Sequence, residues 1–171
     1  MIELAKRRRS TRVFQDKPID TETLSKLLHI GQLAPSSWGK TPVEFMLVDN
    51  RQLLDNLAMS RTHTGTALKH APYGIAVLVN KELGDFWIED GAVAATFLLL
   101  AAEHLNLGAC WIQIHGMEGG TKTAEENVRT ILDIPSHYGV LCILALGYKG
   151  EEKAPHRDKV LNADLLHKNT F

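Results

Sequence analysis

A chain of 171 residues is most simply one domain, long enough to bury a real core. Hydrophobic residues make up 44% and charged residues 23%, which argues against disorder, and a net charge of −1 gives no global pull toward nucleic acid or anionic membrane. The start carries charges where a secretory signal needs an apolar core, and the longest apolar run, 92–102, falls far short of the roughly 20 residues of a membrane span, so a soluble cytoplasmic protein is expected.

Taken in chain order, the pattern alternates helices with strands. A short helix is predicted over 2–9. Asp20 then caps an amphipathic helix with Leu24, Leu27, Leu28 and Leu33 at helical spacing, stopped by Ala34-Pro35. A strand follows at 43–48 and a helix at 51–60. Residues 61–71 have no clean period and read as a loop, and 73–79 as a second strand. The longest helix, 87–106, is apolar nearly all round through its centre, a pattern that demands cover on every side. In a protein this small a second subunit would supply the extra cover, so a dimer is predicted. A strand at 109–114, a helix at 123–132 and a strand at 139–147 complete the framework. The polar tail 148–171 is too short to fold alone and is expected to embrace a neighbour, as a C-terminal arm of one domain spanning 1–171. Cys110 and Cys142 form no CxxC pair; in apolar strand-like runs they read as buried, reduced thiols.

The chemistry-bearing features gather near the start. Arg7-Arg8-Arg9-Ser10-Thr11-Arg12 precedes Ala34-Pro35-Ser36-Ser37 by one helix. Guanidinium groups grip phosphate with forked donors, and interleaved hydroxyls add directional hydrogen bonds, so a small-anion site is one reading. A solvated helix end, or a basic patch for nucleic acid or nuclear localisation, is the other. Gly39-Lys40-Thr41 imitates a phosphate-binding loop, but Ala34 stands where the first glycine belongs, and a helix leads into a strand rather than the reverse. No G-x-G-x-x-G fingerprint marks a nicotinamide site. Gly116 to Gly120 reads as a plain turn. His63 and His70 are seven apart, and no HExxH or Cys/His pairing points to a metal. No G-x-S-x-G elbow is present.

Arg8-Arg9-Ser10-Thr11-Arg12-Val13-Phe14 with Pro18, then Ala34-Pro35-Ser36-Ser37, resembles the opening of the nitroreductase family of flavoproteins. The likeness continues through Asp90-Gly91-Ala92, Leu98 to Ala102 and Leu107-Gly108-Ala109, and ends at Ala145-Leu146-Gly147-Tyr148 with His156-Arg157. It covers about 150 residues, with four motifs in the family's order. It implies an α+β fold, a central mixed β-sheet flanked by helices, in an intertwined homodimer with the flavin site at the interface. Arg8, Arg9, Ser10 and Arg12 would hold the phosphate, ribityl chain and pyrimidine edge of FMN. Pro35, Ser36 and Ser37, with Gly39, would come from the partner subunit. Gln113, Ile114, His115 and Gly116 match the segment that passes the ring and offers an N–H to N5. His156 and Arg157 would close on the phosphate.

Two departures stand out. Gly39, Thr41, Pro42 and Val43 occupy the stretch where the family has Asn, Gln and Pro-Trp, and Pro155 replaces a lysine. The resemblance further implies a ping-pong cycle in which NADH or NADPH reduces FMN and a nitroaromatic, quinone or similar small acceptor reoxidises it. Flavin N5 carries the hydride, so no protein side chain is needed as nucleophile or base. Alternatives on the same framework are a dehalogenase, an azoline oxidase or a flavin-fragmenting enzyme. From another class, a non-catalytic phosphate-ligand or nucleic-acid binding module also uses a basic start.

Overall fold

The structure, a computed structural model, describes residues 1–62, 66–157 and 165–170. Its helices are α1 (Ile2–Arg7), α2 (Thr21–Gln32), α3 (Arg51–Ala58), α4 (Thr66–His70), α5 (Trp87–His104) and α6 (Ala124–Leu132). Its strands are β1 (Val43–Val48), β2 (Tyr73–Asn80), β3 (Leu107–Gln113) and β4 (Tyr138–Tyr148). The strands form one sheet in the order β1-β2-β4-β3, and every ladder between them is antiparallel. A single parallel bridge, Ser10 to Ala109, adds the N-terminal segment to the β3 edge.

The two central strands, β2 and β4, are buried along almost their whole length. That explains their unbroken apolar runs, because both faces of the sheet are covered. One face packs on α3, α4 and α6 through Leu54, Leu57, Leu68 and Val128. The other packs on α2 and α5 through Leu27, Ala95, Leu98 and Ala102. Helix starts follow the capping chemistry of the sequence. Asp20 accepts from the Thr23 N–H at 2.8 Å, and Thr123 and Glu126 form a reciprocal capping box on α6.

One expectation needs correction. Residues 61–71 are not all loop, since α4 occupies Thr66–His70. Its five residues are too few to show a helical period, and burial of Ala67, Leu68 and Ala71 rather than sequence pattern holds it in place. Helix α5, for which extra cover is expected from a second subunit, leaves one side open within one chain. Val93 and Thr96 are exposed, and Phe97 and Leu100 line an open apolar groove of about 250 Å³ with Met1, Leu4, Ile30 and His104.

The N-terminal segment is what positions the site. Helix α1 stops at Arg7 because Arg8 turns extended (ψ 114°), which carries Ser10 and Thr11 onto β3. The Thr11 N–H donates to the Ala109 carbonyl at 3.0 Å, and the Thr11 side chain is only 3% exposed. Gly108 makes this possible, since a Cβ there would lie 2.6 Å from Thr11 Cγ2. Farther on, Phe14 pairs with Lys149, and Gly150 lets the two backbones touch, since its Cβ would lie 2.9 Å from the Phe14 carbonyl carbon. The start of the chain and the segment after β4 are thereby bound to each other.

Candidate functional site

Those two segments enclose a cleft of about 380 Å³ whose lining includes Arg7, Arg9, Thr11, Glu103, Glu151, Glu152 and Lys153. Lys153 Nζ donates to the Ser10 carbonyl at 2.6 Å, and Arg9 Nη1 donates to the Ala154 carbonyl. The His156 N–H donates to the Lys6 carbonyl at 2.9 Å. Arg8, Arg12 and Lys153 all act on the Cys110 thiol, lowering a pKa that burial has raised, which gathers these cations on one side of β3. Of the residues expected to bind phosphate, Arg9 lines this cleft, Arg8 and Arg12 act on Cys110, which packs with α3, α4 and α6, and Ser10 and His156 join the two segments through hydrogen bonds of their backbone groups.

The acids of the cleft are largely committed. Glu151 accepts from the Arg12 N–H at 2.6 Å and the Val13 N–H at 3.3 Å, and it pairs with Lys153 at 2.8 Å. The Lys153 hydrogen bond, followed by the Arg12 N–H, lowers the Glu151 pKa to about 2. Glu103, 5% exposed, pairs with Lys149 at 2.7 Å and lies 3.9 Å from Arg7 Nε. The guanidinium groups of Arg8, Arg12 and Arg157 make no hydrogen bond or ion pair among the described residues. Three uncommitted guanidinium groups on two segments bonded to each other suit a phosphate-bearing ligand.

Glu151 carries a pH prediction. Its depressed folded-state pKa stabilises the fold at pH values above the ordinary 4.5, and that contribution is lost as pH falls toward 2. In thermal melts, wild type should be more stable than Glu151→Gln at pH 7, and the gap should close by pH 2. A gap that is the same at both values would remove the carboxylate from this account.

Pro35, Ser36, Ser37 and Gly39 do not line this cleft. They form a separate turn anchored to the start of α5. The Ser37 N–H and Oγ both donate to Asp90 Oδ1, at 2.7 and 2.8 Å, and Asp90 is 4% exposed. Ser36 Oγ accepts from the Thr41 N–H at 2.9 Å. Trp38 (φ 57°), Gly39 (φ 65°) and Thr41 (φ 47°) occupy the left-handed region, at a cost of about 1–3 kcal/mol for each of the two non-glycine residues.

Gln113, Ile114, His115 and Gly116 form the third group, at the far end of β3. Ala109 and Gln113 are about 13 Å apart at strand rise, so a ligand reaching both regions must be elongated. The Ile114 and His115 N–H groups both donate to the Leu141 carbonyl, at 3.1 and 3.0 Å. Among the described residues this leaves the Gly116 N–H, at φ 73°, as the uncommitted donor of the turn. His115 Nδ1 lies 3.1 Å from Glu125 Oε2, whose other oxygen meets Arg129 at 2.5 Å, and the Trp87 ring packs edge-on against the imidazole. Arg61 Nη1 donates to the Gln113 carbonyl at 3.0 Å.

Sequence reasoning missed Lys153, Glu151, Glu103 and Asp90. Lys153 stands two residues before the position that Pro155 fills, so a search for a cation at one fixed spacing passes over it. Asp90 did carry a signal, as the carboxylate that opens the Asp90-Gly91-Ala92 motif before a long apolar run.

Comparison with known proteins agrees with this architecture. The nitroreductase family model matches residues 5–69 and 57–148. A Methanothermobacter thermautotrophicus protein, provisionally named NADH dehydrogenase/NAD(P)H nitroreductase, is 31% identical over 98% of this chain and 85% of its own length. The solved structure of an FMN-dependent nitroreductase from Clostridium difficile R20291 is 40% identical, with a TM-score of 0.95 and all of both chains covered. A 5,6-dimethylbenzimidazole synthase from Rhodospirillum rubrum is 26% identical over 85% of this chain and 80% of its own. With its matched segments running from residue 5 to residue 148, the chain belongs to the nitroreductase family.

Proposed function

We propose that this protein is an FMN-dependent oxidoreductase that takes hydride from NADH or NADPH and reduces a small nitroaromatic, quinone or similar acceptor in a ping-pong cycle. The observation that carries the reading is that the N-terminal segment and residues 149–157 are bonded to each other and that Arg8, Arg12 and Arg157, which lie on them, keep guanidinium groups without a partner among the described residues. Arg8, Arg9, Ser10, Arg12, Lys153, His156 and Arg157 hold the phosphate and ribityl end. Gly116, at the turn after β3, offers its N–H to the ring. FMN, when bound, would supply the hydride-transfer chemistry between donor and acceptor.

The protein's part is to bind, orient and bias charge. Guanidinium groups near the pyrimidine edge stabilise negative charge there without any proton transfer, by the logic of an oxyanion hole. The active form is a homodimer. In it, a second subunit covers the open groove beside α5, Pro35 to Gly39 reach the partner's flavin site, and the arm on the neighbour lies beyond residue 157, because residues 148–156 are bonded to their own chain. Residues 158–164 of that arm, like His63, lie outside the described residues.

Kinship with a 5,6-dimethylbenzimidazole synthase supports a second reading, a flavoprotein on the same framework with different chemistry. Anaerobic NADH or NADPH separates the two. Bleaching of the flavin colour supports the oxidoreductase, and colour that persists favours the second reading.

A further inference from the structure

Trp38 is unlike the other tryptophans of this chain. Trp87 packs against His115, and Trp111 Nε1 donates to Gln113 Oε1 at 2.8 Å, so both are tied into the fold. Trp38 is 83% exposed. An indole left in water gives up burial that the fold could have used, and most tryptophans are well buried.

Its backbone is equally unusual. A φ of 57° is an outlier for so bulky a residue, where glycine or asparagine would fit without strain. The turn is nevertheless pinned on both sides of Trp38, by Ser37 on the buried Asp90 and by Thr41 on Ser36. Strain held by neighbours that over-determine it points to use at a site. A side chain presented on a locked turn also loses little freedom when it binds. The ligand chemistry follows from what the turn offers. From Pro35 to Thr41 it presents one large π face, hydroxyls, and Lys40 as its single charge. That combination fits a planar aromatic molecule that is neutral or anionic.

We propose that Trp38 is a specificity-determining residue, forming one face of the acceptor site and selecting planar aromatic acceptors by stacking. This rests on the oxidoreductase reading, in which residues 35–39 of one subunit join the flavin site of the other. The exposed position makes substitution compatible with folding.

The test uses FMN-loaded wild type, Trp38→Ala, Trp38→Leu and Trp38→Phe with menadione, 4-nitrobenzoate and ferricyanide as acceptors. The Ala and Leu variants should raise KM for menadione and 4-nitrobenzoate about fivefold, equal to about 1 kcal/mol at 1.4 kcal/mol per tenfold, with kcat little changed. KM for ferricyanide, which has no aromatic face, should rise less than KM for the two aromatic acceptors, and Trp38→Phe should recover most of the lost affinity. A second readout needs no turnover. Tryptophan emission titrated with 4-nitrobenzoate should show a quenching step in wild type that is absent from all three variants.

Equal KM values for both aromatic acceptors across the series, or an unchanged quenching step, would overturn the assignment. Loss of FMN or of the dimer in Trp38→Ala would overturn it too, by moving the indole to the cofactor or the interface. Failure of the oxidoreductase reading shows differently, as wild-type protein that NADH and NADPH do not reduce while the titration still reports on Trp38.

Discussion

Alanine at Arg12 or at Arg157 should cost the protein most of its FMN. A hydrogen bond to a charged group is worth about 1.5–3 kcal/mol, so each loss should weaken FMN binding by about 10- to 100-fold. Neither guanidinium has a partner among the described residues, and both residues are exposed. The fold should therefore survive, with melting temperatures close to wild type. The ratio of flavin to protein absorbance after gel filtration, followed by calorimetric titration of the apoprotein with FMN, reads the effect. Full flavin content in both variants would dismiss the phosphate assignment, whatever the family likeness.

The second large effect lies beneath the cleft. Glu103 closes the last turn of α5 almost entirely out of water, with Lys149 Nζ at 2.7 Å and Arg7 Nε at 3.9 Å. Lys149→Met leaves that carboxylate buried with only the more distant Arg7. Breaking one partner of a buried pair costs about 3–5 kcal/mol, and the partly exposed Lys149 and the remaining Arg7 put this site at the lower end. A loss of about 3 kcal/mol corresponds to a fall of roughly 6–12 °C in Tm for a domain of this size. Replacing both partners, Glu103→Leu with Lys149→Met, should recover much of that fall, because no charge is then stranded. Thermal melts of the three proteins check the cycle. An unchanged Tm in Lys149→Met would mean that Glu103 does not depend on this partner.

The elements that the sequence displays most clearly are those fixed by local rules. Asp20 and Thr123 cap their helices as their residue types require, and the continuous apolar runs of β2 and β4 mark strands buried on both faces. Helix α4 was illegible because its five residues owe their shape to tertiary burial against α3. The basic start could be read as an anion site, and the resemblance brought His156 and Arg157 to it, but Lys153 and Glu151 could not be read. Lys153 and Glu151 reach Ser10 and Arg12 across more than a hundred residues, through the backbone approach that Gly150 allows. Spacing rules describe neighbours along the chain, and this contact is made by the fold. Asp90 tells the same story. Its buried carboxylate has meaning only once Ser37 is seen donating to it twice.

The most direct test of the central claim is a visible absorption spectrum of the purified protein, recorded without oxygen before and after addition of NADH or NADPH. The account predicts a yellow protein whose colour bleaches with at least one donor and returns when a nitroaromatic or quinone is added. A colourless protein that also fails to take up added FMN would contradict it.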